Sequence, residues 1–178
     1  FYDATGGSVL IDGGDVRQQD LVDLRARIGL VPQKAMLFSG TIDSNLRYGK
    51  ENATTDELAS ALATAQAIEF VEQFDDGVEH AISQSGANVS GGQRQRLSIA
   101  RAVVRDPEIY IFDDRFSALD FKTDANLRAA LARETHDSTL LLVAHRVNTI
   151  RHDEKIIVLA EGPMDYAGSI LYPSETTH

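Results

Sequence analysis

Apolar positions in this chain form short unbroken runs that alternate with stretches at helical spacing. Ile109-Tyr110-Ile111-Phe112, Thr139-Leu140-Leu141-Leu142-Val143 and Ile156-Ile157-Val158-Leu159 are continuous runs. Such runs predict strands buried on both faces, as in a parallel sheet. Ile28-Gly29-Leu30-Val31 is a fourth, halted by Pro32, and Gly7 to Gly13 reads as a short strand ending in a turn. Between the runs, Thr41 to Leu46 fits a short helix, and Glu57 to Gln66 is rich in strong helix formers. Ser90 stands at an N-cap position. The helix after it reaches about Val104, with Leu97, Ala100 and Val104 on one face. Another helix is expected from about Thr123 to Glu134. Strands alternating with helices predict an α/β fold with a parallel sheet. The region from about Gly40 to Asn88 reads as helical, without a buried strand, and so as a separate helical subdomain.

In open parallel sheets, ligands bind beyond the carboxyl ends of the strands. One run here ends in Asp113-Asp114 and another in Ala144-His145. Both should deliver these groups to the same sheet edge. Carboxylates and an imidazole there suit Mg²⁺ and an oriented water, although strand ends also carry polar groups merely for solvation. Ser90-Gly91-Gly92-Gln93 places two glycines at the first turn of a helix. Free backbone N–H groups and the helix dipole make such a turn an anion site. An ordinary glycine-rich N-cap has the same sequence.

Composition narrows the choice. A chain of 178 residues can bury roughly 68–70% of its unfolded surface in one domain. A formal net charge of -10 argues against a nucleic-acid partner, which demands a basic footprint. It leaves room for a single nucleotide at a locally positive site. The absence of cysteine excludes disulfides, thiolate metal sites and a cysteine nucleophile. No apolar run approaches the ~20 residues that span a bilayer, and no signal peptide opens the chain. A membrane role must therefore act through a partner or another segment. The opening Phe1-Tyr2-Asp3, without methionine, is expected of a piece of something longer.

Val89-Ser90-Gly91-Gly92-Gln93-Arg94-Gln95-Arg96, followed by Asp113-Asp114, Ser117-Ala118-Leu119-Asp120, Ala144-His145-Arg146 and, upstream, Val31-Pro32-Gln33, occur in a distinctive order and spacing. Together they resemble the nucleotide-binding domain of an ATP-binding-cassette (ABC) exporter over roughly residues 1–160. The motifs look like the signature, Walker B end, D-loop, switch histidine and Q-loop. The resemblance implies a P-loop NTPase-like parallel sheet with an inserted α-helical subdomain. Residues 1–39 and 105–160 would form the RecA-like core, 40–104 the helical subdomain with the signature helix, and 161–178 a divergent tail.

It also implies ATP and Mg²⁺ as cofactors and assigns roles. Ser90, Gly91 and Gly92 would bind the γ-phosphate of ATP held by the opposite subunit, and Gln93 belongs to the same motif. Asp113 would hold Mg²⁺ through its water shell, and Asp114 would take the general-base position. His145 would contact the γ-phosphate. Gln33 would contact Mg²⁺ or the attacking water and sense the transmembrane domain. Asp120 would lie at the dimer interface. The implied partners are a second nucleotide-binding domain, head to tail in a homo- or heterodimer, and a transmembrane domain, with no nucleic acid. The implied location is the cytoplasmic face of a membrane. Leu37-Phe38-Ser39-Gly40-Thr41-Ile42, with Asn45-Leu46 after it, looks like exporter rather than importer cassettes.

The chain departs from the family pattern in several places. No G-x-x-x-x-G-K-[ST] occurs in it, and Phe1-Tyr2 resembles the segment just after the Walker A helix. The Walker A strand is expected centrally, between the strands ending at Asp113 and His145, so both would have unpaired edges and the isolated chain would be unstable. Asp114 stands where most members have Glu, one methylene longer, as in the weakened site of heterodimeric exporters. Arg115 either adds charge beside the metal site or is solvated. His136, His152 and His178 read as solvated. Two other readings are a non-catalytic half-site lending Ser90, Gly91 and Gly92 to a partner, and a soluble ATPase of DNA maintenance. The short spacing between Gln33 and Ser90 leaves no room for the long coiled coil of the latter.

Overall fold

The computed structural model describes residues 4–113, 119–143, 156–159 and 164–168. The chain opens with a hairpin of β1 (Leu10–Ile11) and β2 (Gly14–Asp15). Its two-residue turn is Asp12-Gly13, at φ 51 and 78. Aspartate and glycine tolerate the left-handed region that such a turn requires. Asp20 caps α1 (Leu21–Ala26) by accepting from the backbone of Val22 and Asp23. Then come β3 (Ile28–Val31), β4 (Gly40–Thr41) and α2 (Ile42–Arg47). They are followed by α3 (Thr55–Thr64), α4 (Ile68–Val71) and β5 (Ala81–Ile82). The long α5 (Gly91–Val103) leads to β6 (Ile109–Asp113), α6 (Phe121–Glu134) and β7 (Thr139–Val143). β8 (Ile156–Leu159) and β9 (Met164–Gly168) form an antiparallel pair.

The expected mixed α/β fold is present, with β3, β6 and β7 in one parallel sheet in that order. The lateral order corrects one expectation. The sheet has no gap between the strands that lead to Asp113 and His145, because β6 and β7 pair directly from Ile109↔Thr139 to Asp113↔Val143. Among the described residues, β7 pairs only with β6, so its open edge faces away from β6. An apolar run reports burial but carries no information about which strand lies beside it. β7 also departs from burial on both faces. Leu140 and Leu142 pack against the core, whereas Leu141 is 50% and Val143 45% exposed.

One apolar core joins the sheet to the helices. Val31, Tyr110 and Phe112 from the sheet meet Leu46 of α2, Leu58 and Leu62 of α3, Leu97 and Ile99 of α5, and Leu127 and Leu131 of α6. The amphipathic reading of α5 holds, since Leu97, Ala100 and Val104 are all buried. The stretch between Gly40 and Asn88 is mainly helical, as expected, but it does contain a buried strand position. β4 pairs antiparallel with β5, and Ile82 of β5 is buried. Two-residue strands have no periodicity of their own; this pair exists because the chain returns across α2.

The loop after β3 is pinned by Asn45, which is buried. Its amide accepts from the Phe38 N–H at 2.8 Å and donates to the carbonyls of Phe38 and Thr41, both at 2.9 Å. All of these partners are backbone groups, so a buried polar side chain is satisfied without a charge.

Candidate functional site

The parallel order brings the carboxyl ends of three strands to one edge. Val31 pairs with Phe112, and Asp113 pairs with Val143. Gln33 follows Val31 by two residues, so Gln33 and Asp113 leave the sheet at the same edge, both exposed to solvent. Asp114 and His145 lie outside the described residues, as do Arg115, His152 and His178. His136 is exposed, and its Nε2 lies 3.0 Å from a carboxylate oxygen of the neighbouring Asp137.

The first turn of α5 is closed by a capping box. Ser90 is in extended conformation, and its Oγ accepts from the Gln93 N–H at 3.1 Å. Gln93 Oε1 in turn accepts from the Ser90 N–H at 2.8 Å. This capping box uses a lone pair of the hydroxyl and leaves its O–H free to donate outward. Gln93 therefore has its carbonyl oxygen committed to the helix start. The Gly91 and Gly92 N–H groups occupy first-turn positions that have no intrahelical acceptor. No acidic side chain lies in this first turn, whereas α2, α3 and α6 each carry at least one. The positive end of the α5 dipole is thus left uncompensated.

Gly91 is informative because nothing inside the fold requires it. Its φ is not positive, and a Cβ there would meet only Arg94 Nη2, at 4.0 Å. A glycine at an exposed turn with open space around it leaves room for something approaching from outside. Gly86 contrasts with it. Its φ of 70 and the Arg94 Cδ only 2.9 Å from a Cβ position explain that glycine internally.

Asp120 caps α6. It accepts from the Thr123 N–H at 2.9 Å and from the Thr123 hydroxyl at 2.7 Å. These bonds favour the charged form and hold its pKa below the ordinary carboxylate value. The cap's contribution to stability is therefore present at neutral pH. It fades as acid drops the pH through the ordinary range and then through the lowered value. Arg96 of α5 is close enough to feel the Asp120 charge.

The ABC transporter family profile matches residues 1–117. The chain belongs to the ABC transporter family. It is 46% identical over 172 residues to an ABC transporter ATP-binding protein of Mycobacterium tuberculosis, covering 95% of this chain and 29% of that protein. It is 38% identical over 169 residues to the ATP-dependent lipid A-core flippase of Syntrophus aciditrophicus, covering 95% of this chain and 28% of that one. Among solved structures, a bacterial Atm1-family ABC exporter with ATP bound superposes with a TM-score of 0.91 at 34% identity. That match covers 94% of this chain and 29% of the exporter chain. The chain thus spans less than a third of the length of these ABC transporters. No described helix is long and apolar enough to cross a membrane.

Within this ABC transporter segment, sequence reasoning missed several side chains around the candidate site. Arg94 donates from Nη1 to the Gly86 carbonyl at 2.8 Å. Arg96 donates to the Gln66 carbonyl at 2.7 Å and lies 4.7 Å over the Phe70 ring. Burial pushes the Arg96 pKa down, against the pull of Asp120 and Glu69. The arginines were visible in the motif, but their acceptors lie far away in sequence or in irregular turns.

Proposed function

We propose that this chain is the nucleotide-hydrolysing cassette of an ABC exporter, working with Mg-ATP at a composite site in a head-to-tail dimer of cassettes. The observation that carries this reading is Gly91, kept open at the uncompensated N-terminus of α5 with no internal need for glycine. Ser90 O–H and the Gly91 and Gly92 N–H groups then receive the terminal phosphate of ATP held across the dimer. Exposed Asp113, with Gln33 at the same edge, suits a hard cation that keeps most of its water and takes one or two protein oxygens. Mg²⁺, when bound with ATP, neutralises charge on the phosphate oxygens. Asp114 stands as general base toward water, His145 as a donor to the γ-phosphate, and Asp120 as a contact between cassettes. Positioning and electrostatics supply most of such phosphoryl transfer.

The partner that turns this chemistry into transport is a transmembrane portion, with the cassette at the cytoplasmic face. A surface patch supports that reading. Met36, Phe38 and Tyr48 are 51%, 46% and 71% exposed. The rings of Phe38 and Tyr48 lie 4.6 Å apart. Arg101 sits 5.3 Å from the Phe38 ring and donates to the Met36 carbonyl at 2.9 Å. Its buried Nη1 has no hydrogen-bond partner among the described residues, and burial pushes its pKa down. An apolar rim around a desolvated cation suits a docking segment that brings a carboxylate.

The test is hydrolysis of Mg-ATP by the whole protein and its Gly91→Asp variant. A carboxylate in a first helical turn favours the helix but repels phosphate. The variant should melt at or above the native temperature and lose turnover roughly tenfold. Native-like turnover in Gly91→Asp would remove the phosphate role of this turn.

The aspartate at 114 favours a second reading. In it the site is one weak half of a heterodimer, with this chain lending its signature turn to a stronger partner site. Normal hydrolysis by a homodimer of the whole protein would eliminate that arrangement.

A further inference from the structure

We infer that Arg94 is a phosphate-binding residue of the α5 turn, supplying its positive side-chain charge. This rests on the reading of the turn as a phosphate receptor. Arg94 lies four residues after Ser90, so it emerges on the same face of α5 as the capping serine. Its guanidinium is fixed in that position. Nη1 donates to the Gly86 carbonyl at 2.8 Å. Its Cδ and Cγ pack at 2.9 and 3.1 Å from the point where a Cβ on Gly86 would stand, so only glycine, at φ 70, admits them.

With Nη1 held, Nη2 is turned toward the first turn and comes to 4.0 Å from the Cβ position of Gly91. The side chain is half-buried, and it has no carboxylate partner among the described residues. Arg96 and Arg101 are committed otherwise. Each is over an aromatic ring and donates to a carbonyl remote from the turn, and Arg96 Nε also donates to the Gly92 carbonyl at 3.4 Å. Arg94 is thus the cation that the fold aims at the same opening as the Gly91 N–H. A phosphate oxygen seated on the Ser90 hydroxyl and the glycine N–H groups lies within one Debye length of it, where an incompletely hydrated charge is poorly screened. Gly86 and Arg94 then act as one device: the glycine makes room for the stem, and its carbonyl anchors one prong of the fork.

The experiment compares the whole native protein with Arg94→Met and Arg94→Lys, using Mg-ATP. Turnover is measured against ATP concentration at low and high salt, with a thermal melt of each variant. Arg94→Met should raise the KM for ATP about fivefold, lower kcat less, and flatten the salt dependence of KM. Arg94→Lys keeps the charge but not the fork, and should restore KM to within about twofold of native. If Arg94→Met leaves KM and its salt dependence unchanged, the inference is overturned. It is equally overturned if Met and Lys raise KM alike in step with a lowered melting temperature, since that marks a purely structural tie to Gly86. If the native protein neither binds nor hydrolyses Mg-ATP, the underlying reading falls and takes this inference with it. Native turnover abolished by Gly91→Asp but indifferent to Arg94→Met sinks this inference alone.

Discussion

Replacing Asp114 by Glu is expected to raise ATP turnover of the whole protein by about 10²-fold, the lower end of what a well-placed general base contributes. Asp113 ends β6 and is exposed at the carboxyl edge of the sheet. Asp114 is the next residue in sequence. Aspartate is one methylene short of glutamate. A base that stops short of hydrogen-bond reach, roughly 2.6–3.2 Å from the proton it accepts, loses most of its effect. A hundredfold gain corresponds to about 2.7 kcal/mol of barrier. The check is steady-state hydrolysis at saturating Mg-ATP, with KM measured alongside. A rise in kcat at constant KM identifies the carboxylate as a group acting in the transition state. An unchanged kcat in Asp114→Glu means that Asp114 is not the limiting base, and the heterodimer reading then loses its main support.

The same strand shows how much of the fold was legible in the sequence. The Ile109–Phe112 run is a strand of the parallel sheet, and Ile28–Val31 is its neighbour. The Ser90 cap and the apolar face of α5 also follow from residue types alone. Lateral order did not follow. A continuous apolar run has no period from which to tell a covered face from an open one. Thr139 to Val143 therefore read as a buried strand flanked by a gap. It is instead paired with β6 and half exposed, with Leu141 and Val143 facing out. The helix α1 escaped notice because it spans six residues and carries a single buried side chain, Leu24. Its signal was Asp20, an N-cap that accepts from two backbone N–H groups.

The candidate site was legible where its residues are contiguous and obscure where they converge. Ser90, Gly91, Gly92 and Gln93 form one turn, so the sequence displays their chemistry directly. The placement of Gln33 and Asp113 on one edge needs the parallel register of β3 with β6, which the alternation of elements supplies. The contributions of Arg94, Arg96 and Arg101 depend on carbonyls at Gly86, Gln66 and Met36. Tertiary return of the chain makes those contacts, and no local pattern encodes them.

Gly49→Ala is expected to cost about 3 kcal/mol of stability, the upper end of the usual overpacking penalty. Gly49 follows α2 at the point where that helix meets the C-terminal part of α5. A Cβ there would overlap the Arg101 carbonyl oxygen, and would also lie 3.1 Å from Val104 Cγ1 and 3.2 Å from the Leu46 carbonyl oxygen. Two of these three atoms are backbone, and neither helix can yield without disturbing the core it shares through Leu46, Leu97 and Ala100. The clash cannot be relieved by a rotamer change, unlike one at the end of a flexible side chain. Relief requires α2 and α5 to separate, which opens apolar contacts and strains the bond from Gly49 N–H to the Leu46 carbonyl at 2.8 Å. For a domain of this size, 3 kcal/mol lowers Tm by roughly 6–12 °C. Gly6→Ala is the matched control, because a Cβ at Gly6 meets nothing within 4 Å; its melting temperature should stay native. Since α5 carries the signature turn at its other end, Gly49→Ala should also lower turnover at temperatures where the fold is still intact. A native melting temperature for Gly49→Ala would show that the α2–α5 contact is looser than its geometry states, and would weaken the case that α5 is rigidly held for phosphate binding.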